Sequence, residues 1–303
     1  MSQFIAKLLA GAATSDAEWN QFLRDAHHAT PGVTPRCTGS LRTSDGLSSY
    51  ELLADTLKHV HPAPRSTLGV LDLACGDGYL IELCVKQLGR GARITGVDMS
   101  PEELDRARYR LHGSDVTFLL EEAQHLSLAD SSFDAALCHL AFMLMRPLEP
   151  VVAEIARVLK PGGLFAAVVN RREGPDALYT MVRAELRRFL QEEFPQMRDY
   201  AIGDPRVNSR TGLEELFSSG KGFTGRVDLD DFDVVVVKGS PHEMWAHWEE
   251  SNYIIRSLDT DRKQKLGSRL KDLFSDYARI QGSVKMGFPM RLISVHKNGA
   301  YGV

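Results

Sequence analysis

Residues 70–83 read VLDLACGDGYLIEL, an apolar strand that turns on two glycines and leaves in a helical pattern. Two features need a reason. An acid, Asp72, sits inside the apolar run, and Cys75-Gly76-Asp77-Gly78 interrupts the chain where strand or helix would otherwise continue. A tight turn between a strand and its helix lets backbone N–H groups approach a ligand closely. Glycine is required where a Cβ would obstruct that approach or forbid the backbone angles, and Gly76 and Gly78 supply the two positions. A dinucleotide-binding turn carries a third glycine three residues after the second; that position here is Ile81. Asp72 and Asp77 beside the turn repel a pyrophosphate and suit a ligand that bears a cation, which disfavours a NAD-dependent dehydrogenase.

From Leu68 to Val169 short apolar runs alternate with helical stretches. LGVLDLA, ARITGVDMS, VTFLLEE, FDAALCHLAFM and LFAAVVN predict strands, and GYLIELCVKQLG and PLEPVVAEIARVLKPGG predict helices. Ser100-Pro101-Glu102-Glu103 supplies a cap, a first-turn proline and acids where a helix N-terminus favours them. Continuous Val/Leu/Ala runs suit strands covered on both faces, hence a parallel sheet wrapped by helices. Asp98 closes the second strand some twenty residues after the glycines, where a carboxylate accepts ribose hydroxyls. Beyond Arg172 the pattern predicts helices in 176–194, in TGLEELFSSGKGF, across 240–258 as one stretch, and from Asp261. DFDVVVVKG and MRLISVHK complete the strands. The loop 29–46, rich in proline and glycine, is the best linker candidate.

The chain has 303 residues, 25% charged and 43% hydrophobic, with a net charge of −4. That balance gives no electrostatic footprint for nucleic acid or an anionic membrane. No apolar run approaches the roughly 20 residues a bilayer requires. The opening MSQFIAKLLAGAATSDAEW reads as an amphipathic helix rather than a leader. Cys37, Cys75, Cys84 and Cys138 show no paired metal spacing and no disulfide framework, which points to a reducing cytoplasm and to no metal site.

VLDLACGDGYL and GVDMSPEEL, followed by EEAQHLSLADSSFDAALCHLAFM and VLKPGGLFAAVV, together resemble the class I S-adenosylmethionine-dependent methyltransferases over residues 66–170. TGLEELFSSGKGF is similar to the helix before strand six in small-molecule members related to ubiquinone-biosynthesis enzymes. The resemblance implies an α/β fold, doubly wound, with a seven-stranded, mostly parallel sheet whose last strand is antiparallel. Helical cap insertions are expected at about 174–220 and 240–282 of a domain spanning 47–303, with residues 1–46 as an N-terminal helical lid and linker. It implies that Asp72 orients the glycine loop and that Ala74, Cys75, Gly76, Asp77 and Gly78 surround the methionine moiety of S-adenosylmethionine. Asp98 takes the ribose, Met99 packs on the adenine, and Glu122 and Ala123 meet the adenine amino group. The last pair departs from the usual Asp-Ala, so a longer carboxylate must reach the same atom. His139 faces the sulfonium, and Tyr50 either closes over the cofactor or anchors its helix.

A general base is needed only when the acceptor's proton must leave near neutral pH. His139, at the end of a strand, is the first candidate for one, weighed against a purely packing or cofactor-bonding histidine; His27 and His28 follow, while His242 and His247 read as surface or cap residues. Asn170 ends strand five, and Arg171 and Arg172 follow it directly, where they suit a carboxylate or phosphate on the acceptor, weighed against ordinary solvated charge; Asn170 and Arg171 are the candidate acceptor contacts here. Tyr179, Trp245 and Trp248 suit an aromatic pocket in the cap, although such spacing also describes core packing. The expected activity is methyl transfer to O, N or C of a small, aromatic or carboxylate-bearing metabolite of secondary metabolism, by a monomer or homodimer. An enzyme that binds S-adenosylmethionine for another reaction such as cyclisation, or a non-catalytic binder, stays open.

Overall fold

A computed structural model describes residues 3–62, 66–197 and 203–299. Seven strands form one sheet in the order β3-β2-β1-β4-β5-β7-β6. They are β1 (Leu68–Leu73), β2 (Ala92–Asp98), β3 (Val116–Leu120), β4 (Phe133–His139), β5 (Leu159–Asn170), β6 (Phe223–Lys238) and β7 (Val284–Lys297). β1 to β5 pair in parallel, and β7 runs antiparallel to both β5 and β6. The chain winds outward from β1 in both directions, so β1 and β4 flank the point where strand order reverses. Ligands of doubly wound sheets bind outside the carboxyl ends of the strands at that point.

The helices that cover the sheet are α1 (Gln3–Leu9), α2 (Asp16–Ala29), α3 (Val33–Thr38), α4 (Ser49–Asp55), α5 (Tyr79–Leu88) and α6 (Pro101–Arg110). Beyond these come α7 (Leu148–Val158), α8 (Ala177–Glu193), α9 (Arg210–Leu216), α10 (Pro241–Ser251), α11 (Tyr253–Ser257) and α12 (Thr260–Gln281). α7 buries Leu148, Val151, Val152, Ile155 and Val158, a stripe at helical spacing facing the sheet. α6 starts on Ser100, whose hydroxyl accepts from Glu103 N, with Pro101 in the first turn. Among the described residues no helix is long and apolar enough to cross a membrane, and no group of three or more His, Cys, Asp or Glu is placed to hold a metal ion.

Several boundaries depart from the sequence pattern. β4 ends at His139 because Leu140 turns out of the sheet at φ 51°. β6 and β7 extend far beyond the apolar cores read for them, pairing from Phe223↔Lys297 to Lys238↔Val284. The predicted helix 240–258 breaks at Asn252, whose side chain caps α11 by accepting from Ile254 N and Ile255 N. The opening helix is two helices, because Ser15 starts α2 with a reciprocal cap to Glu18. The stretch 29–46 contains α3, buries Val33, Cys37 and Leu41, and adds an antiparallel bridge from Arg42 to Val235 on the edge strand β6.

The two turn glycines do different work. Gly78 adopts φ 78°, and a Cβ there would lie 3.1 Å from Ala107 Cβ and 3.2 Å from Ala107 Cα, so it lets α5 start against α6. Gly76, at φ 52°, has only Glu103 Oε2 within 4.0 Å of its Cβ position. Ile81, where a dinucleotide fold would carry glycine, is accommodated by Gly96 in β2, whose Cβ position lies 2.7 Å from Ile81 Cδ1. Gly78→Ala is expected to lower unfolding free energy by about 1–3 kcal/mol through left-handed strain and overpacking. Denaturant midpoints would register that loss, and an unchanged midpoint would refute this packing role.

Candidate active site

A cavity of about 120 Å³ lies at the carboxyl ends of β1, β2 and β4. Of the residues expected to hold a cofactor, Asp72, Ala74, Cys75, Gly76, Asp77, Asp98, Met99, Ala123, His139 and Tyr50 line it. Gly78 does not, for the packing reason just given. Ala74 and Leu140, leaving β1 and β4, both border the cavity at positive φ, 59° and 51°. Such backbone is costly for residues with a Cβ and recurs at functional sites.

The glycine loop is held by β2. Asp98 Oδ2 accepts from Gly76 N at 2.8 Å, Asp98 Oδ1 accepts from Ser100 N at 2.9 Å, and Cys75 N donates to Val97 O at 2.9 Å. Burial raises the Asp98 pKa, and the two backbone donors pull it back. Asp72 corrects its expected role: at 2% exposed, neither carboxylate oxygen has a hydrogen-bond partner, so it does not fasten the loop. Burial, reinforced by the neighbouring Asp98, holds its pKa well above the usual carboxylate range. Asp77 is already paired, with Arg110 Nη2 at 2.5 Å, and the same arginine reaches Glu82 at 3.0 Å. Asp72 and Asp98 are thus the carboxylates beside the loop that form no ion pair among the described residues, and Asp72 alone of the two has no hydrogen-bond partner.

Glu122 also needs correction. It lies outside the cavity, 44% exposed, with its carboxylate 2.6 Å from Arg24 on α2. Glu121 and Gln124 line the cavity instead. His139 is stacked on Tyr50 with ring centroids 3.5 Å apart, and its Nε2 lies 2.9 Å from Ser49 Oγ. Nδ1 is buried and unpaired. Burial lowers its pKa to about 3, so the ring is neutral near pH 7 and a poor proton acceptor. The geometry gives it a hydrogen-bonding place rather than the role of base. Tyr50, buried between His139 and Tyr79, anchors α4 to the site.

The N-terminal helices cover this cavity. Asn20, Leu23 and His27 of α2 line it, and His27 Nδ1 lies 3.0 Å from Glu103 Oε1 while Tyr253 Oη lies 3.2 Å from His27 Nε2. Glu103 also accepts from Gly32 N at 3.0 Å through each of its oxygens. The sequence offers Glu103 only as a first-turn acid, because its partners lie 71 and 76 residues away. His28 is exposed and pairs with Glu102. Trp19 Nε1 donates to Leu144 O at 2.5 Å.

A second cavity, about 280 Å³, is lined by Asn170, Arg171, Arg172, Tyr179 and Trp248 from β5, α8 and α10 and the segment after β5. Trp245 is not among its lining residues. Its indole is pressed on α12, where a Cβ on Gly267 would meet it at 2.9 Å. His242 does not line it either, whereas His247 does, with its pKa lowered to about 4 by burial. Thr34, Leu140, Leu144 and Tyr253 line both cavities, so the two adjoin at those residues.

A family profile described as a methyltransferase domain matches residues 71–167. An arsenite methyltransferase from Halobacterium salinarum is 35% identical over 119 residues, covering 38% of this chain and 30% of that protein. A malonyl-[acyl-carrier protein] O-methyltransferase from Acetivibrio thermocellus is 27% identical over 244 residues, covering 77% of this chain and 81% of that protein. The solved [4+2]-cyclase SpnF superposes with a TM-score of 0.53 at 17% identity, over 95% of this chain and 98% of that one. The chain spans less than half the length of the first curated relatives it matches, from 30% to 46%. With the sheet order, the glycine loop and the acid ending β2, these matches support a class I S-adenosylmethionine-dependent methyltransferase, with the methyltransferase domain matched at residues 71–167.

The residues present fit S-adenosylmethionine. Asp72 offers a buried, unpaired carboxylate to a cation. Each Asp98 oxygen accepts one N–H, and a carboxylate has about four lone-pair sites, which leaves capacity for two ribose hydroxyls. The space beside Gly76 admits a ligand against the loop.

Proposed function

We propose that the chain transfers a methyl group from S-adenosylmethionine to O, N or C of a small aromatic or carboxylate-bearing metabolite, as a step of secondary metabolism in the cytoplasm. The adjoining cavities carry this reading: one fits the cofactor, the other is large enough for an acceptor, and they share Thr34, Leu140, Leu144 and Tyr253. When bound, S-adenosylmethionine would supply an activated, electrophilic methyl group to a nucleophilic O, N or C of the acceptor. Asp72 compensates a cation, Asp98 and Met99 hold the nucleoside end, and the backbone at Gly76 receives the amino-acid end. Alignment of the acceptor in the second cavity, across Leu140 and Leu144, supplies proximity, worth up to about 7–11 kcal/mol in well-oriented reactions. Burial makes His139 a weak base, so an acceptor that is acidic itself, or that needs to lose no proton before methylation, suits this site best.

Calorimetric titration with S-adenosylmethionine and S-adenosylhomocysteine, with NAD as control, tests the cofactor half. Micromolar binding of the first two and silence from NAD are expected; tight NAD binding would overturn the reading. Asp98→Ala is expected to weaken binding by about 1.5–3 kcal/mol, the cost of hydrogen bonds to a charged group, and unchanged affinity would remove its ribose role. The likeness to the cyclase SpnF extends to fold, so mass analysis of acceptors incubated with labelled S-adenosylmethionine separates methyl transfer from a reaction that leaves the methyl in place.

A further inference from the structure

The two adjoining cavities differ in the sign of their charged linings. The first carries Asp72, Asp77, Asp98, Glu103 and Glu121, and no lysine or arginine among its described lining residues. The second carries Arg171, Arg172, Arg183, Arg187 and Arg256, with Asp204 as the only carboxylate among its described lining residues. Asp204 is itself engaged by Arg206, at 3.0 Å on one oxygen and 2.6 Å on the other. Arg171 shares Asp231 with Arg291, at 3.4 and 2.6 Å, so two guanidiniums divide one carboxylate.

Among the described residues, Arg172, Arg183 and Arg256 pair with no carboxylate. Arg183 Nη1 donates to the Tyr179 hydroxyl at 3.3 Å, and that hydroxyl donates to the Arg171 carbonyl at 3.3 Å, which brings α8 against the segment after β5. Arg256 donates to the Thr30 hydroxyl and lies over the Tyr253 ring, 4.8 Å from its centroid. Cations gathered on one cavity repel one another unless an anion joins them, and guanidinium groups take carboxylate and phosphate oxygens in pairs. Beside them Tyr179, Trp248 and Phe288 form an aromatic cluster with centroids 5.6 to 6.1 Å apart. Trp248 Nε1 is buried without a partner, a further donor beside the arginines.

We propose that the second cavity holds an organic anion, a carboxylate or a phosphate monoester, on Arg171, Arg172 and Arg183, with its aromatic or apolar body against Tyr179, Trp248 and Phe288. This rests on the methyl-transfer reading above and sharpens it. The arginines line only the second cavity, so the group they hold stays on that side of the residues common to both. The anion is an anchor, the atom that receives the methyl is a different one, and the product keeps its carboxylate or phosphate.

The test is calorimetry on the full chain saturated with S-adenosylhomocysteine, titrated with 1-naphthaleneacetate, 1-naphthyl phosphate and the neutral isostere 1-naphthaleneacetamide. At least one anion should bind tenfold or more tightly than the amide. Arg183→Gln should remove that preference, Arg183→Lys should keep most of it, and Arg172→Gln, at an exposed position, repeats the test should Arg183→Gln fail to fold. Tighter binding of the phosphate or of the acetate assigns the anion to that class. The proposal is overturned if no probe binds, if the amide binds as tightly as both anions, or if the glutamine variants keep the preference. Failure to bind S-adenosylhomocysteine would count against the methyl-transfer reading alone, with the anion preference then scored on the free protein.

Discussion

Asp72→Asn is expected to stabilise the ligand-free protein and to weaken the cofactor site. The carboxylate is buried, raised in pKa by burial first and by Asp98 second, and bonded to nothing. Because its folded pKa lies above the unfolded value, the native state binds the proton more readily than the unfolded chain. Its contribution therefore turns unfavourable as pH rises from about 3.9 through the folded value, and stays so above it. The amide that replaces it is still unpaired, so the gain comes from removing the buried charge alone, and stability should rise at neutral pH and not below about pH 3.9. Losing a charge-assisted contact with a cation should cost about 1.5–3 kcal/mol of cofactor affinity, roughly ten- to a hundred-fold. Thermal melts without ligand and calorimetry with S-adenosylmethionine read the two halves separately. A variant that melts lower and binds as before would contradict both.

The second large effect lies at acid pH. His139 has a folded pKa of about 3 because burial penalises its charged form, against about 6.5 for an exposed histidine. The unfolded chain therefore takes the proton first. The stability this ring contributes is fully present above pH 6.5 and is lost as pH falls toward 3. Between pH 7 and pH 4 the loss should be about 3 kcal/mol. His139→Gln, which keeps a partner for Ser49, should show a pH 7 to pH 4 difference smaller by that amount. Denaturant titrations at the two pH values decide it; equal slopes in variant and wild type would mean that His139 stays neutral in neither state more than the other. His247, with its pKa lowered to about 4, acts in the same direction and is common to both proteins.

What could be read from sequence was chemistry confined to one short stretch. Asp72, Gly76 and Asp98 lie on neighbouring parallel strands and their turn, so their order along the chain maps directly onto proximity. The sheet's parallel half was equally legible, because β4 is buried along its whole length and reads as a continuous apolar run. The edge was not: β6 is half solvated, and TGRVDLDDFD carries the charges of an exposed strand where an apolar pattern would have announced one. Glu121 and Glu122 could not be told apart without knowing that Arg24 claims the second. The pairing of Glu103 with Gly32 and His27 joins segments more than seventy residues apart, and no periodicity marks it. Trp245 and Trp248, at helical spacing, looked equivalent; the position of α12 decides that one packs on Gly267 and the other borders the cavity.

Leu144 borders both cavities, and its carbonyl is held by the indole of Trp19 on α2, the helix that also carries Asn20, Leu23 and His27 into the first cavity. Any shift of that helix on loading one ligand would alter the surroundings of the other. The two binding equilibria are then thermodynamically linked: whatever factor cofactor occupancy applies to acceptor affinity, acceptor occupancy must apply to cofactor affinity in return.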